Sequence, residues 1–297
     1  MPKKMSHTYA VGSPERRTVD YYLGIDAGSV STKIVVLTRD QEVIAEANLP
    51  TQGTPVAAVR EGLRQILAQS PDIDIAAVAI TGSGRELVSA IMPSSLVKNE
   101  ITAQATAAVS FLSDVRTIIE IGGQDSKLIL IKDGLMADFA MNTVCAAGTG
   151  SFLNHQAARL GLSLEEFGAL ALESVSPAHI AGRCTVFAES DMIHQQQTGA
   201  MLKDIVYGLC KTLAHNYLTS VTSGKDILPP VIFQGGVAHN PGIVRAFREE
   251  LGLDLIIPPY PEFTGAIGAA ILALQGQADP LVPTINTEEQ IAPSGDE

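Results

Sequence analysis

Three segments set glycine beside acids, hydroxyls and lysine in a way that suits the holding of a polyphosphate. The first is Gly24-Ile25-Asp26-Ala27-Gly28-Ser29-Val30-Ser31-Thr32-Lys33. A tight glycine turn lets backbone N–H groups approach phosphate oxygens, and hydroxyls and an ammonium add further donors. Gly28, Ser29, Val30, Ser31 and Lys33 are therefore candidate phosphate contacts. Asp26, at the end of a strand, suits a magnesium ion held largely through water. The second segment, Glu120-Ile121-Gly122-Gly123-Gln124-Asp125-Ser126-Lys127, repeats the pattern of acid, strand end and glycine. Gly122, Gly123 and Asp125 are its candidate contacts. Glu120 or Gln124 could orient an attacking water, as an acid or glutamine does in other nucleotide hydrolases, and with Asp26 they form the candidate catalytic set. The third, Phe233-Gln234-Gly235-Gly236-Val237-Ala238-His239-Asn240, is a strand, a glycine pair and a helix start. There a ribose or α-phosphate could lie against the bare backbone of Gly235, Gly236, Val237 and Asn240. Any one of these is also compatible with an ordinary turn whose glycine supplies a positive φ. Three in this order point to one nucleotide clamped between two halves of the chain.

Other nucleotide signatures do not compete. There is no G-x-x-x-x-G-K-S/T loop, and in Ile80-Thr81-Gly82-Ser83-Gly84-Arg85-Glu86-Leu87 a leucine stands where a dinucleotide fingerprint needs its third glycine. The stretch Gly148-Thr149-Gly150-Ser151 fails that fingerprint in the same way, but Gly148 and Thr149 join the candidate nucleotide contacts.

The elements that must carry these turns alternate between periods of 2 and 3.6. Tyr22–Leu37 reads as two strands around the first turn, Thr54–Gln69 as an amphipathic helix, 74–80 as a buried strand and Glu100–Leu112 as an alanine-rich helix. The pattern then restarts, with strands at 116–121 and 127–131 around the second turn and a third at 135–141 after the Asp133-Gly134 hairpin signal. Helices follow near 149–160, 163–175, 185–197 and 199–222, and Ser163 with Glu166 forms a capping-box pair. A strand at 231–234, a helix from Pro241, a strand at 255–257 and a helix from Thr264 close the chain. The expected architecture is α/β: two lobes with duplicated mixed sheets and a nucleotide cleft between them. Residues 21–103 with 255–276 form the first lobe and 104–254 the second. Residues 1–20 read as a disordered extension and 277–297 as an acidic tail.

Composition narrows the classes. In 297 residues, 46% are hydrophobic, enough for a sizeable core, and 32 acids against 20 Lys and Arg give a net charge of −12. Phosphate-backbone binding wants a basic face, so nucleic acid is not an expected partner. No apolar run has membrane-spanning length, and the opening residues lack the apolar core of a secretory signal, so a cytoplasmic protein with no membrane partner is expected. Histidines 155, 179, 194, 215 and 239 show no zinc-motif spacing.

The three turns, in order, resemble the two phosphate hairpins and the adenosine motif of the actin, sugar-kinase and heat-shock-chaperone superfamily of ATPases. The helices at Glu100–Leu112 and Thr264–Leu274, the latter with Gly265, Ala266, Gly268 and Ala269, are similar to its two connecting helices. The resemblance implies that fold over about residues 20–275. It also suggests a ribose contact for Glu189. An amino-sugar-type small-molecule kinase, or an actin-like filament or chaperone, would keep the same three turns.

The 3 cysteines separate these readings. Cys145, in Asn142-Thr143-Val144-Cys145-Ala146-Ala147-Gly148-Thr149-Gly150-Ser151-Phe152, and Cys184, in Ala181-Gly182-Arg183-Cys184-Thr185-Val186-Phe187-Ala188-Glu189, both lie at helix starts. A helix N-terminus favours the thiolate, and thiolates hold iron–sulfur clusters, usually four to a cluster. Cys210 sits among Val206, Leu209, Leu213 and Tyr217 and reads as core. With two candidates per chain, a four-cysteine cluster would need two chains and a place on their shared axis. Spacing alone leaves open that both are buried apolar thiols. The residues around them, 142–152 and 181–193, together with 121–127, resemble the ATP-dependent activators of 2-hydroxyacyl-CoA dehydratases and the ATPase subunits of benzoyl-CoA reductases. That resemblance implies a homodimer that uses ATP, ADP and Mg²⁺, with Cys145 and Cys184 of each subunit holding one shared 4Fe–4S cluster. It implies low-potential electron transfer to an iron–sulfur dehydratase or reductase component, with a ferredoxin or flavodoxin as donor.

Overall fold

The computed structural model describes residues 20–71, 73–142, 146–181, 185–222 and 224–276, and within them two five-stranded sheets are built to one plan. The first starts with β1 (Tyr21–Ala27), β2 (Ser31–Leu37) and β3 (Val43–Pro50), an antiparallel meander. Helix α1 (Pro55–Gln69) crosses over, and β4 (Ile75–Thr81) returns parallel to β1. The short α2 (Arg85–Ser89) and β5 (Leu96–Val97) complete the order β3-β2-β1-β4-β5. Helix α3 (Glu100–Phe111) then leads into β6 (Thr117–Ile121), β7 (Ser126–Lys132) and β8 (Leu135–Asn142), again an antiparallel meander. The crossover in this half is long: α4 (Gly150–Leu160), α5 (Leu164–Leu172), α6 (Thr185–Gln197) and α7 (Leu202–Val221) precede β9 (Val231–Gln234), which lies parallel to β6. Helix α8 (Pro241–Leu251) and β10 (Leu255–Ile256) finish the order β10-β9-β6-β7-β8, and α9 (Thr264–Gly276) ends the described chain.

Strand alternation decides what each face touches. In the first sheet, Leu23, Ile25, Ile34 and Val36 point outward to Val59, Leu63 and Ile66 of α1. Tyr22, Val35 and Leu37 point inward to the small-residue helix α9. In the second sheet, Ile119, Ile121 and Leu128 face the outer helices, with Phe152, Phe167, Leu209 and Tyr217 in one continuous core. Ile118, Ile129 and Ile131 face Ile101, Ala105 and Ala108 of α3.

The two inner helices, α9 on the first sheet and α3 on the second, cross back to back, and glycine permits it. A Cβ on Gly268 of α9 would overlap the carbonyl oxygen of Ala103 in α3, and one on Gly24 of β1 would overlap that of Ala266. Helix ends follow the expected chemistry. Asn99 accepts from Thr102 N at 2.8 Å to cap α3, and Ser163 with Glu166 makes both bonds of a capping box on α5.

The structure differs from the sequence reading at several points. Residues 255–256, expected in the first lobe, hydrogen-bond to β9 and close the second sheet, because the strand after α8 finds its free edge there. Likewise α3, from Glu100, packs on the second sheet. Strand β3 escaped the periodicity reading because Ala45 and Ala47, rather than large apolar residues, make its buried face. Residues 1–19 of the expected terminal extension (1–20) and all of the expected acidic tail (277–297) lie outside the described residues.

Replacing Gly268 with valine should destabilise the protein by about 3 kcal/mol, the range of backbone-forcing overpacking. Gly134→Ala, at φ 74 in an open turn, should cost only about 1 kcal/mol. Urea unfolding of the two variants checks the contrast; equal, small losses would show that the helix crossing is not tight.

Candidate active site

The inner ends of β1 and β6 face each other across a cleft of about 480 Å³ that continues into a narrower chamber of about 90 Å³. This is the size range of a small-molecule site. Both glycine turns are tight hairpins of one form: Gly28 N donates to Ser31 O at 3.1 Å, and Gly122 N donates to Asp125 O at 3.0 Å. The turns meet, since a Cβ on Gly123 would sit 2.8 Å from Val30 Cγ2. Among the described residues, the amides of Ser29, Val30, Gly123 and Gln124 have no acceptor. Four free N–H groups at the mouth of a chamber are donors for phosphate oxygens.

Beneath each turn lies an acid–lysine rung. Asp26 pairs in register with Lys33 across β1 and β2, and Glu120 with Lys127 across β6 and β7. Each rung is on the inner face and points to a crossing helix. Asp26 abuts Gly265 of α9, whose missing Cβ leaves room for the carboxylate. Lys127 Nζ lies 2.9 Å from Glu120 Oε2, 2.9 Å from Asp125 Oδ1 and 3.3 Å from Glu100 Oε2 at the start of α3.

Electrostatics here are set by burial. It pushes the Glu120 carboxyl up to about 7 against the pull of Lys127, and raises Asp26 against Lys33 and Lys127. Glu100 is raised as well, first by burial. Burial would lower the Lys127 ammonium, but Glu120, Glu100 and Asp125 outweigh it and hold it protonated well above its usual range. The chamber is thus lined by Asp26, Glu100, Glu120 and Asp125 against Lys33 and Lys127. A cation entering with a polyphosphate would offset that excess of carboxylates; among the described residues no three acids gather into a metal site of their own.

The third turn forms the other wall. Gly235 takes φ 89 and packs its backbone on Ile121, as Gly82 at φ 93 packs on Ala27 in the first half. Only glycine allows both the conformation and the approach. The floor is Gln104 of α3, whose Oε1 accepts from Gln234 Nε2 at 2.7 Å and from Thr264 Oγ1 at 2.7 Å. The second of these bonds joins the two crossing helices. At the rim, His239 and Glu262 hydrogen-bond to each other.

Of the residues singled out in sequence, Asp26, Val30, Ser31, Lys33, Glu120, Gly122, Gly123, Gly235, Gly236, Val237 and Asn240 line the wider cleft. Gly28, Ser29, Gln124 and Asp125 line the chamber. Asn240 also spends its side-chain oxygen on the amides of Gly242 and Ile243, capping α8. Three residues lie elsewhere. Gly148 packs on the backbone of Tyr217, and the Thr149 hydroxyl donates to Ala146 O. Glu189 pairs with Arg159 and His155 between α6 and α4. Cys145 and Cys184 fall outside the described residues. The sequence reading missed Lys127 as a site residue, although it stands seven residues after Glu120, as Lys33 stands after Asp26. It also missed Gln104, Thr264 and Glu100, which carry no local motif.

The chain as a whole is similar to known proteins. The profile of the BadF/BadG/BcrA/BcrD ATPase family matches residues 23–273. The 2-hydroxyisocaproyl-CoA dehydratase activator of Clostridioides difficile is 34% identical over 256 residues, 85% of this chain and 94% of the relative. The crystal structure of the Acidaminococcus fermentans (R)-2-hydroxyglutaryl-CoA dehydratase component A superposes with a TM-score of 0.81 at 32% identity, covering 87% of this chain and 99% of that one. An activator of 2-hydroxyisocaproyl-CoA dehydratase from Clostridium difficile with bound ADPNP gives 0.80 at 32% identity, over 90% and 100%.

Lys127→Met should leave the buried Glu120 carboxyl, and the half-buried Glu100 and Asp125, without their counter-ion and cost about 3 kcal/mol. Nucleotide affinity should fall with it, because the chamber becomes more negative. Thermal unfolding and calorimetric titration with MgADP check both; a variant as stable as wild type would show that the carboxylates are already protonated.

Proposed function

The chain belongs to the BadF/BadG/BcrA/BcrD ATPase family, and on that premise we propose that it is a homodimeric iron–sulfur ATPase. It couples MgATP hydrolysis to one-electron transfer, at low potential, into a partner dehydratase or reductase. The relatives named as dehydratase activators favour a 2-hydroxyacyl-CoA dehydratase as that partner. A ferredoxin or flavodoxin supplies the electron, and the setting is a reducing cytoplasm. Among the described residues no helix is long and apolar enough to cross a membrane.

The observation that carries the reading is the pair of facing glycine turns, each over an acid–lysine rung, closing on one chamber. In this reading the free amides of both turns and Lys33 take the β- and γ-phosphates. Asp26 holds Mg²⁺ through water, and Glu120 or Gln124 orients the attacking water. A Glu120 carboxyl that ionises near neutral pH is suited to accept a proton. The glycine pair at 235–236 takes the ribose and α-phosphate.

A cysteine-held 4Fe–4S cluster, when bound, supplies a one-electron couple. Cys145 and Cys184 are its ligands in this proposal, standing in the sequence shortly before α4 and α6. Cys210 is not a third. It is fully buried in α7, and burial pushes its thiol far up, the opposite of what a thiolate ligand requires. Two ligands per chain then call for two chains.

Iron and acid-labile sulfide per dimer, measured with native mass after anaerobic purification, test the proposal. About four of each per dimer are expected, with loss of both in Cys145→Ser and Cys184→Ser. A monomer that stays iron-free after reconstitution would remove electron transfer and leave an ATPase of another purpose.

A further inference from the structure

The two glycine turns are alike in front, where the amides are free, and differ behind. In the first, Thr51, just past β3, braces the turn's carbonyls: its Oγ1 donates to Gly28 O at 2.7 Å and its N–H to Val30 O at 2.9 Å. That brace belongs to the same sheet. In the second turn the same chemistry comes from the N-terminus of α4. Gly150 N donates to Gly122 O at 2.9 Å, and Ser151 gives both its N–H, at 2.7 Å, and its hydroxyl, at 2.5 Å, to Gly123 O. A hydroxyl plus backbone amides on turn carbonyls has been kept, but moved from strand to helix. The contact is close enough to require glycine at its first position, since a Cβ on Gly150 would sit 2.9 Å from Gly122 O.

The geometry of the peptide unit makes this a mechanical link. The Gly123 carbonyl and the Gln124 amide are two ends of one planar group. A phosphate oxygen that takes the Gln124 N–H polarises and reorients the carbonyl that Ser151 holds. Gly122 O and Gly123 N–H are paired in the same way, with Gly150 behind. We propose that Ser151 is a positioning residue that carries the nucleotide state of the second phosphate turn into α4. The assignment rests on the reading of the cleft as a nucleotide site. It extends that reading by naming the path from the γ-phosphate end to the helix that follows Cys145. Among the described residues the carbonyls of Gly28 and Val30 take their bonds from Thr51, and the start of the short α2 bonds only to Ala27 O, before the turn.

Hydrogen–deuterium exchange on the full-length protein, free of iron so that the cluster plays no part, tests this. In wild type, amides in a peptide from 147 to 158 should exchange about fivefold more slowly with MgADPNP than with MgADP, the factor one ordinary hydrogen bond is worth. Ser151→Ala, which removes the hydroxyl's bond and keeps the two backbone bonds, should clearly diminish that difference while peptides over 27–33 and 120–127 remain protected by both nucleotides. Ser151→Thr should restore it. Gly150→Ala, which pushes the helix off the turn, should behave as Ser151→Ala does. An undiminished difference in Ser151→Ala would overturn the assignment, as would a wild-type α4 indifferent to nucleotide while both turns are protected. Absence of protection at both turns in wild type would instead overturn the nucleotide reading beneath it.

Discussion

The molecule depends on one close approach: α3 and α9 crossing backbone against backbone where Gly268 meets Ala103. Each helix covers the inner face of one sheet, so the distance between the helices fixes the distance between the sheets. With side chains of ordinary size at the crossing, the inner faces would stand farther apart and the two glycine turns would not touch at Val30 and Gly123. The small residues of α9 contribute little apolar area each, and stability comes instead from the outer cores, where Phe152, Phe167, Tyr217 and Phe247 are fully buried. The inner layer is thin, and its hydrogen bond from Thr264 to Gln104 sits directly under the cleft. That is where relative motion of the lobes would be least resisted.

Duplication gives the site its symmetry, and divergence gives it direction. Both halves present an acid–lysine rung beneath a turn with free amides. Among the described residues, the second half alone surrounds its lysine with three carboxylates. There the carbonyls of Gly122 and Gly123 are held by a helix N-terminus, whereas in the first half the start of α2 reaches only Ala27 O, before the turn. The first half therefore resembles a fixed jaw, and the second a jaw wired to the long helical insertion between β8 and β9. The excess of acids in the chamber means that a bare polyphosphate would meet like charge there, and this is why the proposed function carries magnesium in with the nucleotide. Holding Glu120 near neutrality in its ionisation gives the same chamber a group able to trade a proton.

Much of this was legible in the sequence. Period-2 and period-3.6 segments marked most strands and helices within a few residues, because apolar residues dominate β1, β4, β6 and β7. The glycine turns announced themselves, since only glycine can supply φ 89 at Gly235 against the backbone of Ile121. What stayed hidden was the work of residues that act at long sequence range. Gln104 is one polar residue in an alanine-rich helix, and nothing local says that Gln234 and Thr264 will converge on it. Gly148 and Thr149 looked like a phosphate loop but turned inward, leaving their neighbours Gly150 and Ser151 on the second turn. Glu189 was expected at a ribose and instead joins α6 to α4 through Arg159.

The central claim is that the nucleotide in the cleft sets the state of a redox group carried by the second lobe. The most direct measurement is the reduction potential of the cluster in the anaerobic dimer, loaded in turn with MgADP and MgADPNP. A coupling of about 3 kcal/mol predicts potentials roughly 130 mV apart. Equal potentials, with both nucleotides bound at full occupancy, would contradict the account and leave the ATPase without the electron transfer it is proposed to drive.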